Sequence, residues 1–199
     1  MIDIQKYYPE MEPIICYSAL SEEFVDNVTN AGDRLQFMEG KIGTKAAGEY
    51  NPSVRESLVS WIPADDEHLW IWQKLSEITS SVNHDKYNFD LVRVTGFQYT
   101  TYTEGGFYNW HVDGAFERRS FGPSMRKLGF SLLLSEPEED FTGGEFQIIP
   151  GGNPEHVLTQ ALKKGDILAF PSFIPHRVST ILTGKRKSLV WWAEGPNFK

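Results

Sequence analysis

Cysteine is nearly absent from this chain. With Cys16 alone, no intrachain disulfide can form, which excludes the stapled scaffolds of small secreted domains and points to a reducing compartment. Cys16 lies in the apolar run Ile14-Ile15-Cys16 and is expected in the core rather than as a nucleophile. Long apolar runs are missing as well. No stretch approaches the roughly 20 residues needed to cross a bilayer, and the opening Met1-Ile2-Asp3-Ile4-Gln5-Lys6 lacks the regions of a signal peptide. A cytoplasmic protein without a membrane partner is the expectation. Positive charge is in deficit: 19 Lys and Arg against 27 Asp and Glu leave a net charge of −8. Such a balance carries no footprint for nucleic acid or an anionic surface. There is no internal repeat, low-complexity tract or Gly/Ser linker, and 199 residues suffice for one well-buried domain.

What the chain does have is aromatic bulk, six Trp, eight Tyr and thirteen Phe, which favours pleated surfaces. The first ninety residues read as mixed. Residues 14–19 form a short strand. Ser21 resembles an N-cap, with Glu22 and Glu23 at the positive end of the helix dipole, and the helix runs to about Arg34 with Phe24, Val25 and Val28 inward. Residues 40–60, with Gly40, Gly43, Gly48 and Pro52, read as loop. A second helix starts near Asp65 or Asp66, repeats Ile71, Leu75, Ile78 and Val82 at helical spacing, and stops at Asn83. From Leu91 onward short strands alternate with turns: 91–103, 107–113, 128–134, 145–149, 157–162, 167–170, 176–182 and 186–193, the last two divided by Thr183-Gly184-Lys185. Eight such strands point to a sandwich or jelly-roll barrel covered on one outer face by the helices.

The most informative segment is Phe107-Tyr108-Asn109-Trp110-His111-Val112-Asp113. On a strand, side chains alternate, so His111 and Asp113 face one way while Tyr108, Trp110 and Val112 face the other and can be buried. Alone, a His-x-Asp triplet is more often a surface pair or a buried hydrogen bond. A third candidate, His176, opens a later strand in the Pro-bounded stretch Phe170-Pro171-Ser172-Phe173-Ile174-Pro175-His176. A barrel brings distant strands together, and two imidazoles with one carboxylate leave open positions on a metal, as in non-haem iron(II) oxygenases. One Cys argues against a closed structural zinc site; a hydrolytic zinc site stays open on ligand type alone.

Arg186 is the second discriminator. On the last strand Arg186, Ser188, Val190 and Trp192 share one face and Lys187, Leu189, Trp191 and Ala193 the other, and both faces are substantially apolar. A buried guanidinium needs an anion. An internal carboxylate would serve; so would a bound dicarboxylic acid, held bidentately with help from the Ser188 hydroxyl.

These residues resemble the prolyl 4-hydroxylase-like branch of the iron(II)/2-oxoglutarate oxygenases. Tyr99-x-x-Tyr102-x-x-Gly105-Gly106-x-Tyr108-x-x-His111-x-Asp113 is similar to the strand pair before the family's metal site. Arg126-Lys127-Leu128-Gly129-Phe130-Ser131-Leu132-Leu133-Leu134-Ser135 with Phe141-Thr142-Gly143-Gly144-Glu145-Phe146 is similar to its central strands and glycine turn. Lys164-Gly165-Asp166-Ile167-Leu168-Ala169-Phe170-Pro171, through His176-Arg177-Val178, is similar to the approach to its second histidine. The likeness covers about residues 91–193; residues 1–90 would be the flanking mixed part of the same single domain.

The resemblance implies a double-stranded β-helix, iron(II), 2-oxoglutarate and dioxygen, with ascorbate as an activator. It assigns His111, Asp113 and His176 to iron and Arg186 to 2-oxoglutarate. Tyr102 matches a cosubstrate-contacting tyrosine, although an ordinary core tyrosine fits its position nearly as well; Ser188 and Trp192 are weaker correspondences. The implied activity is hydroxylation of a C–H bond with release of succinate and CO2. Peptidyl proline is the substrate that analogy offers, beside a free amino acid or other small molecule. A non-catalytic metal- or ligand-binding jelly-roll module is the alternative from another class. The segment Gly114–Ser124, polar and holding Arg118 and Arg119, reads as a lid over the site, and Arg118, Arg119 and Arg126 as groups that could meet an acidic substrate, with solvated charges the plainer reading.

Overall fold

The computed structural model describes residues 14–18, 20–42, 49–114 and 124–197. Along the chain run β1 (Ile15–Tyr17), helix α1 (Glu22–Asp33), β2 (Met38–Glu39), β3 (Arg55–Glu56), β4 (Leu58–Ile62) and helix α2 (Leu69–Val82). Then follow β5 (Arg93–Thr103), β6 (Phe107–His111), β7 (Ser124–Leu133), β8 (Phe141–Gly143), β9 (Phe146–Ile148), β10 (Leu158–Gln160), β11 (Ile167–Pro171), β12 (His176–Val178) and β13 (Ile181–Pro196). The larger sheet has the order β1-β11-β7-β13-β5-β4-β2, with β8 attached to β13; the smaller has the order β10-β9-β12-β6-β3. Their strand pairs are antiparallel. Two facing sheets of this order make the expected double-stranded β-helix.

The period-two alternation of the larger sheet decides where everything else sits. Phe97 and Tyr99 of β5, Leu128, Phe130 and Leu132 of β7, and Leu189, Trp191 and Ala193 of β13 point outward into one cluster with Val25, Val28, Ile71, Leu75 and Ile78 of the helices. Fully burying each large apolar side chain here contributes about 1.5–3 kcal/mol. The Trp191 ring stacks on Phe130 at 5.0 Å, and its buried indole N–H donates to Thr79 Oγ1 at 2.9 Å. On the opposite face, Tyr102, Leu133, Leu168 and Phe170 meet Phe146, Ile148 and Val178 of the smaller sheet. Gln98, Ser131, Arg186 and Ser188, also on that inner face, line a cavity instead.

The helices form for the reasons the sequence predicts. Ser21 Oγ accepts from Phe24 N–H at 3.2 Å, and Val25 and Val28 are buried. The second helix starts later than predicted. Asp65 Oδ1 accepts from the backbone N–H of His68 at 3.0 Å and meets its Nδ1 at 2.7 Å, so residues 65–68 form a capped turn and regular helix begins at Leu69. Asn83 is not a full stop. A π-helical turn, Asn83–Tyr87, follows α2 and ends at Asn88 with φ 51°. The Asn83 amide holds both the N–H and C=O of Phe89, at 2.9 Å each.

Three further expectations are corrected. Thr183-Gly184-Lys185 does not separate two strands. β13 runs through it and changes partners there, from β8 to β5. Gly184 sits at φ +78°, where a Cβ would lie 2.0 Å from the Asp140 carbonyl oxygen, so only glycine fits the bend. Of the loop read over 40–60, residues 55–56 and 58–60 are in strands: β3 joins β6 of the smaller sheet and β4 joins β5 of the larger. Cys16, on the edge strand β1, is exposed rather than core. Among the described residues no helix is long and apolar enough to cross a membrane. The lid read over 114–124 falls on residues 115–123, outside the described residues.

Candidate metal centre

His111, at the end of β6, pairs directly with His176, at the start of β12. Asp113 lies two residues beyond, tied by its backbone N–H to the Ser172 carbonyl at 2.9 Å. One ligand atom from each of the three side chains falls within 4.8 Å of the others. Asp113 Oδ1 stands 3.8 Å from His111 Nε2, and Oδ2 stands 3.6 Å from His176 Nε2. These spacings are too long for hydrogen bonds and short enough for one ion to close.

The tautomers support the same geometry. His111 Nδ1 meets the Asn109 carbonyl at 2.8 Å, and His176 Nδ1 meets the Ile174 carbonyl at 2.9 Å. A carbonyl only accepts, so each Nδ1 carries the proton and each Nε2 presents a lone pair to the centre. Burial first, and His176 second, push His111 down to about 3, so its ring is neutral at ordinary pH. Burial alone would raise the Asp113 carboxyl; His176, His111 and Arg126 outweigh it and hold it below the usual range. The Trp192 indole is near enough to favour the carboxylate without making a hydrogen bond. Among the described residues, Asp113 Oδ2 and Trp192 Nε1 are both buried without a hydrogen-bond partner. A charged carboxylate oxygen that is buried and unpaired, between two imidazole lone pairs, fits a divalent cation. Gly129 makes room for it: a Cβ there would lie 2.8 Å from Asp113 Oδ2 and 2.9 Å from the Phe170 ring.

One expectation fails here for an identifiable reason. The β6–β12 register shifts between His176/Val178 and His111/Tyr108, so three residues of β6 span what two span on β12. This bulge reverses the alternation. Tyr108 therefore lies on the same side as His111, its ring stacked on the imidazole at 3.5 Å and 14°, and burial pushes its phenol up to about 12. Trp110 and Val112 face away but are not buried: Val112 is 44% exposed and Trp110 is half-buried under the Arg177 guanidinium, 4.7 Å away.

Arg186 sits deeper in the same cavity of about 370 Å³, across β13–β5 from its register partner Tyr102. It is 1% exposed. Its guanidinium lies 5.8 Å from the Tyr102 ring and donates to Ser188 Oγ at 3.3 Å. Burial lowers its pKa, and among the described residues no carboxylate pairs with it. Trp192, six residues along β13, lines the cavity at the Asp113 end with Arg126 stacked on it at 3.6 Å and Trp61 at 6.3 Å. Arg118 and Arg119 lie outside the described residues.

Sequence reasoning missed Arg55 and Gln98, and placed Tyr108 on the face away from His111. Arg55 is 5% exposed; its Nε donates to Ser57 Oγ at 2.7 Å, its Nη2 to Gln98 Oε1 at 3.0 Å, and it covers the Tyr108 ring at 4.7 Å. The strand-forming run Leu58-Val59-Ser60-Trp61-Ile62 was a signal that could have rescued this region from the loop reading.

Residues 97–194 match a family model described as the 2OG-Fe(II) oxygenase superfamily. A PKHD-type hydroxylase of Idiomarina loihiensis is 31% identical over 189 residues, covering 92% of this chain and 79% of that protein. A PKHD-type hydroxylase of Acaryochloris marina is 36% identical over 96 residues, 48% of this chain and 40% of its own length, and one of Synechococcus sp. is matched over 46% of its length. The chain thus spans less than half of those two relatives. The crystal structure of a Pseudomonas putida prolyl-4-hydroxylase superimposes with TM-score 0.70 at 17% identity, over 98% of this chain and 97% of that one. A Trichoplax adhaerens prolyl hydroxylase, solved with a hypoxia inducible factor oxygen degradation domain peptide fragment, superimposes with TM-score 0.67 at 18% identity, covering 91% and 83%.

Proposed function

Because this chain belongs to the 2OG-Fe(II) oxygenase superfamily, we propose that it is an iron(II)- and 2-oxoglutarate-dependent hydroxylase whose metal is held by His111, Asp113 and His176. The observation that carries the reading is Arg186, a buried guanidinium for which the described residues supply no counter-ion, in the cavity that holds the triad. A buried charge of this kind is costly unless an anion completes it. The distal carboxylate of 2-oxoglutarate is that anion, received by Arg186 and the Ser188 hydroxyl, with the Tyr102 ring as a wall. Trp192 borders the metal end rather than the Arg186 end.

When bound, iron and 2-oxoglutarate supply the oxidising power, dioxygen being shared between succinate, formed with CO2, and the hydroxylated product. The protein's own groups bind and orient. Asn109 and Ile174 carbonyls fix the imidazole tautomers, Asp113 balances charge as a ligand and not as a base, and the aromatic walls exclude water. Peptidyl proline is the substrate favoured by analogy with the prolyl hydroxylases of similar fold, and ascorbate is the activator to include in assays. The non-catalytic module is disfavoured by Arg186, since a structural metal site has no need of a buried cation beside it.

The test is anaerobic titration of the iron(II) protein with 2-oxoglutarate. A visible charge-transfer band should grow and saturate, and His111→Ala or Arg186→Ala should remove it. No band in the wild type, with zinc restoring thermal stability, would turn the reading towards a binding module or hydrolase.

A further inference from the structure

Arg186 is not the cavity's only buried guanidinium. Arg55, from the short strand β3 that pairs with β6, is 5% exposed and lines the same cavity. Its neighbours are neutral: Ser57 Oγ at 2.7 Å, Gln98 Oε1 at 3.0 Å and the Tyr108 ring at 4.7 Å. Among the described residues no carboxylate pairs with it. The two hydrogen bonds fix the head group, using its Nε and Nη2, and leave the N–H groups of Nη1 uncommitted. They fix Gln98 as well. Because a guanidinium can only donate, the Gln98 atom facing it must be the oxygen, and the amide –NH2 is left to the cavity that Gln98 also lines. Arg55 and Gln98 together present fixed donors that meet no further acceptor among the described residues.

The charge balance of the cavity points the same way. With the proposed occupants in place, iron and Arg186 on one side and Asp113 and the two carboxylates of 2-oxoglutarate on the other cancel. What remains among the described residues is Arg55, a buried guanidinium of that lining with no carboxylate paired to it. A guanidinium left over in this way, inside a chain of net charge −8, is a local feature of the cavity that holds the triad.

We propose that Arg55, assisted by the Gln98 amide, receives a carboxylate of the molecule that is hydroxylated, so that the substrate of this centre is an acid. The proposal rests on the hydroxylase reading above and names the substrate's chemistry. Its geometry is a relay of three stacked layers. Arg55 covers Tyr108 at 4.7 Å, and Tyr108 covers His111 at 3.5 Å. A carboxylate held at Arg55 is thereby placed one aromatic ring away from a metal ligand, and the bulge in β6 is what brings that ring into line. The same chemistry fits the α-carboxylate of an amino-acid derivative and the side chain of an acidic residue in a peptide.

The experiment uses protein whose binding of iron(II) and 2-oxoglutarate has already been verified, so that failure of the hydroxylase reading is seen first and separately. With 2-oxoglutarate saturating under nitrogen, so that Arg186 is occupied, two matched series are titrated and binding is read from the melting temperature. One series pairs N-acetyl amino acids with their neutral amides; the other pairs proline-containing peptides bearing Asp or Glu with the Asn or Gln versions. The expected result is at least one pair in which the acid binds about 10- to 100-fold tighter, the span of a charge-assisted hydrogen bond; which series contains it identifies the source of the carboxylate. Arg55→Gln should erase the preference. Gln98→Glu, which gives Arg55 an internal counter-ion, should also erase it while raising the melting temperature of the ligand-free protein. If no pair favours the acid, or if the preference survives Gln98→Glu, the proposal is overturned. If Arg55→Gln lowers the melting temperature with the preference intact, Arg55 is structural and the proposal also falls.

Discussion

A guanidinium that is 1% exposed and faces no carboxylate among the described residues is a liability to the empty protein. Arg186→Met should therefore leave the ligand-free protein as stable as the wild type or more so in urea denaturation, while 2-oxoglutarate binding, followed calorimetrically, is lost. A marked loss of stability would mean that an unseen partner holds Arg186. His111 makes a second case at this scale. Its folded-state pKa of about 3 lies below the unfolded value near 6.5. The unfolded chain thus takes up a proton that the folded chain refuses, and stability falls as pH drops through the window from about 6.5 to 3. In metal-free protein the expected slope from this group is at most about 1.4 kcal/mol per pH unit. His111→Gln should flatten the measured dependence of unfolding free energy on pH in that window. Gly129 reports on the carboxylate. Gly129→Ala would press on Asp113 Oδ2 and the Phe170 ring and should weaken iron(II) binding about 10- to 100-fold by competition titration, the range for disturbed outer-shell support.

At the scale of the strand, legibility followed regularity. The alternation of β13 could be read directly: Leu189, Trp191 and Ala193 do face the helices, while Arg186, Ser188, Val190 and Trp192 line the cavity. The inward faces of both helices were equally readable, because a period of 3.6 survives in Val25, Val28, Ile71, Leu75 and Ile78. What could not be read is departure from period. One extra residue in β6 carries Tyr108 to the opposite face, and no propensity marks a bulge before its partner strand is known. Arg55 escaped notice because two- and five-residue strands between Pro52 and Pro63 look like loop until a neighbour supplies their hydrogen bonds. Gly184 was seen as a turn residue, correctly for its φ, but the bend it makes lies inside a strand. Gly184→Val, which adds a clash with the Asp140 carbonyl to an unfavourable φ, should destabilise by more than the ~1 kcal/mol of an ordinary glycine replacement, read as a fall in the urea midpoint.

Across the whole molecule, the centre joins the two sheets. His111 and His176 come from the smaller one; Gly129, Arg186 and Ser188 come from the larger. Iron(II) and 2-oxoglutarate together should therefore stabilise the fold as a unit. At about 100 times their dissociation constants each ligand contributes about 2.7 kcal/mol, or roughly 5–10 °C in melting temperature for a chain of this size, and chelation of the metal should reverse both increments. The long strand β13 gives this coupling a further consequence. One ribbon of backbone is at once the floor beneath the helices and the wall around the chemistry, so a saturation scan from 186 to 193 should split by parity. Substitutions at 189, 191 and 193 would reduce how much protein survives in the cell; those at 186, 188, 190 and 192 would spare abundance and silence turnover. Heritable change in this chain would then adjust its durability and its selectivity on the same eight residues, in alternate letters of one word.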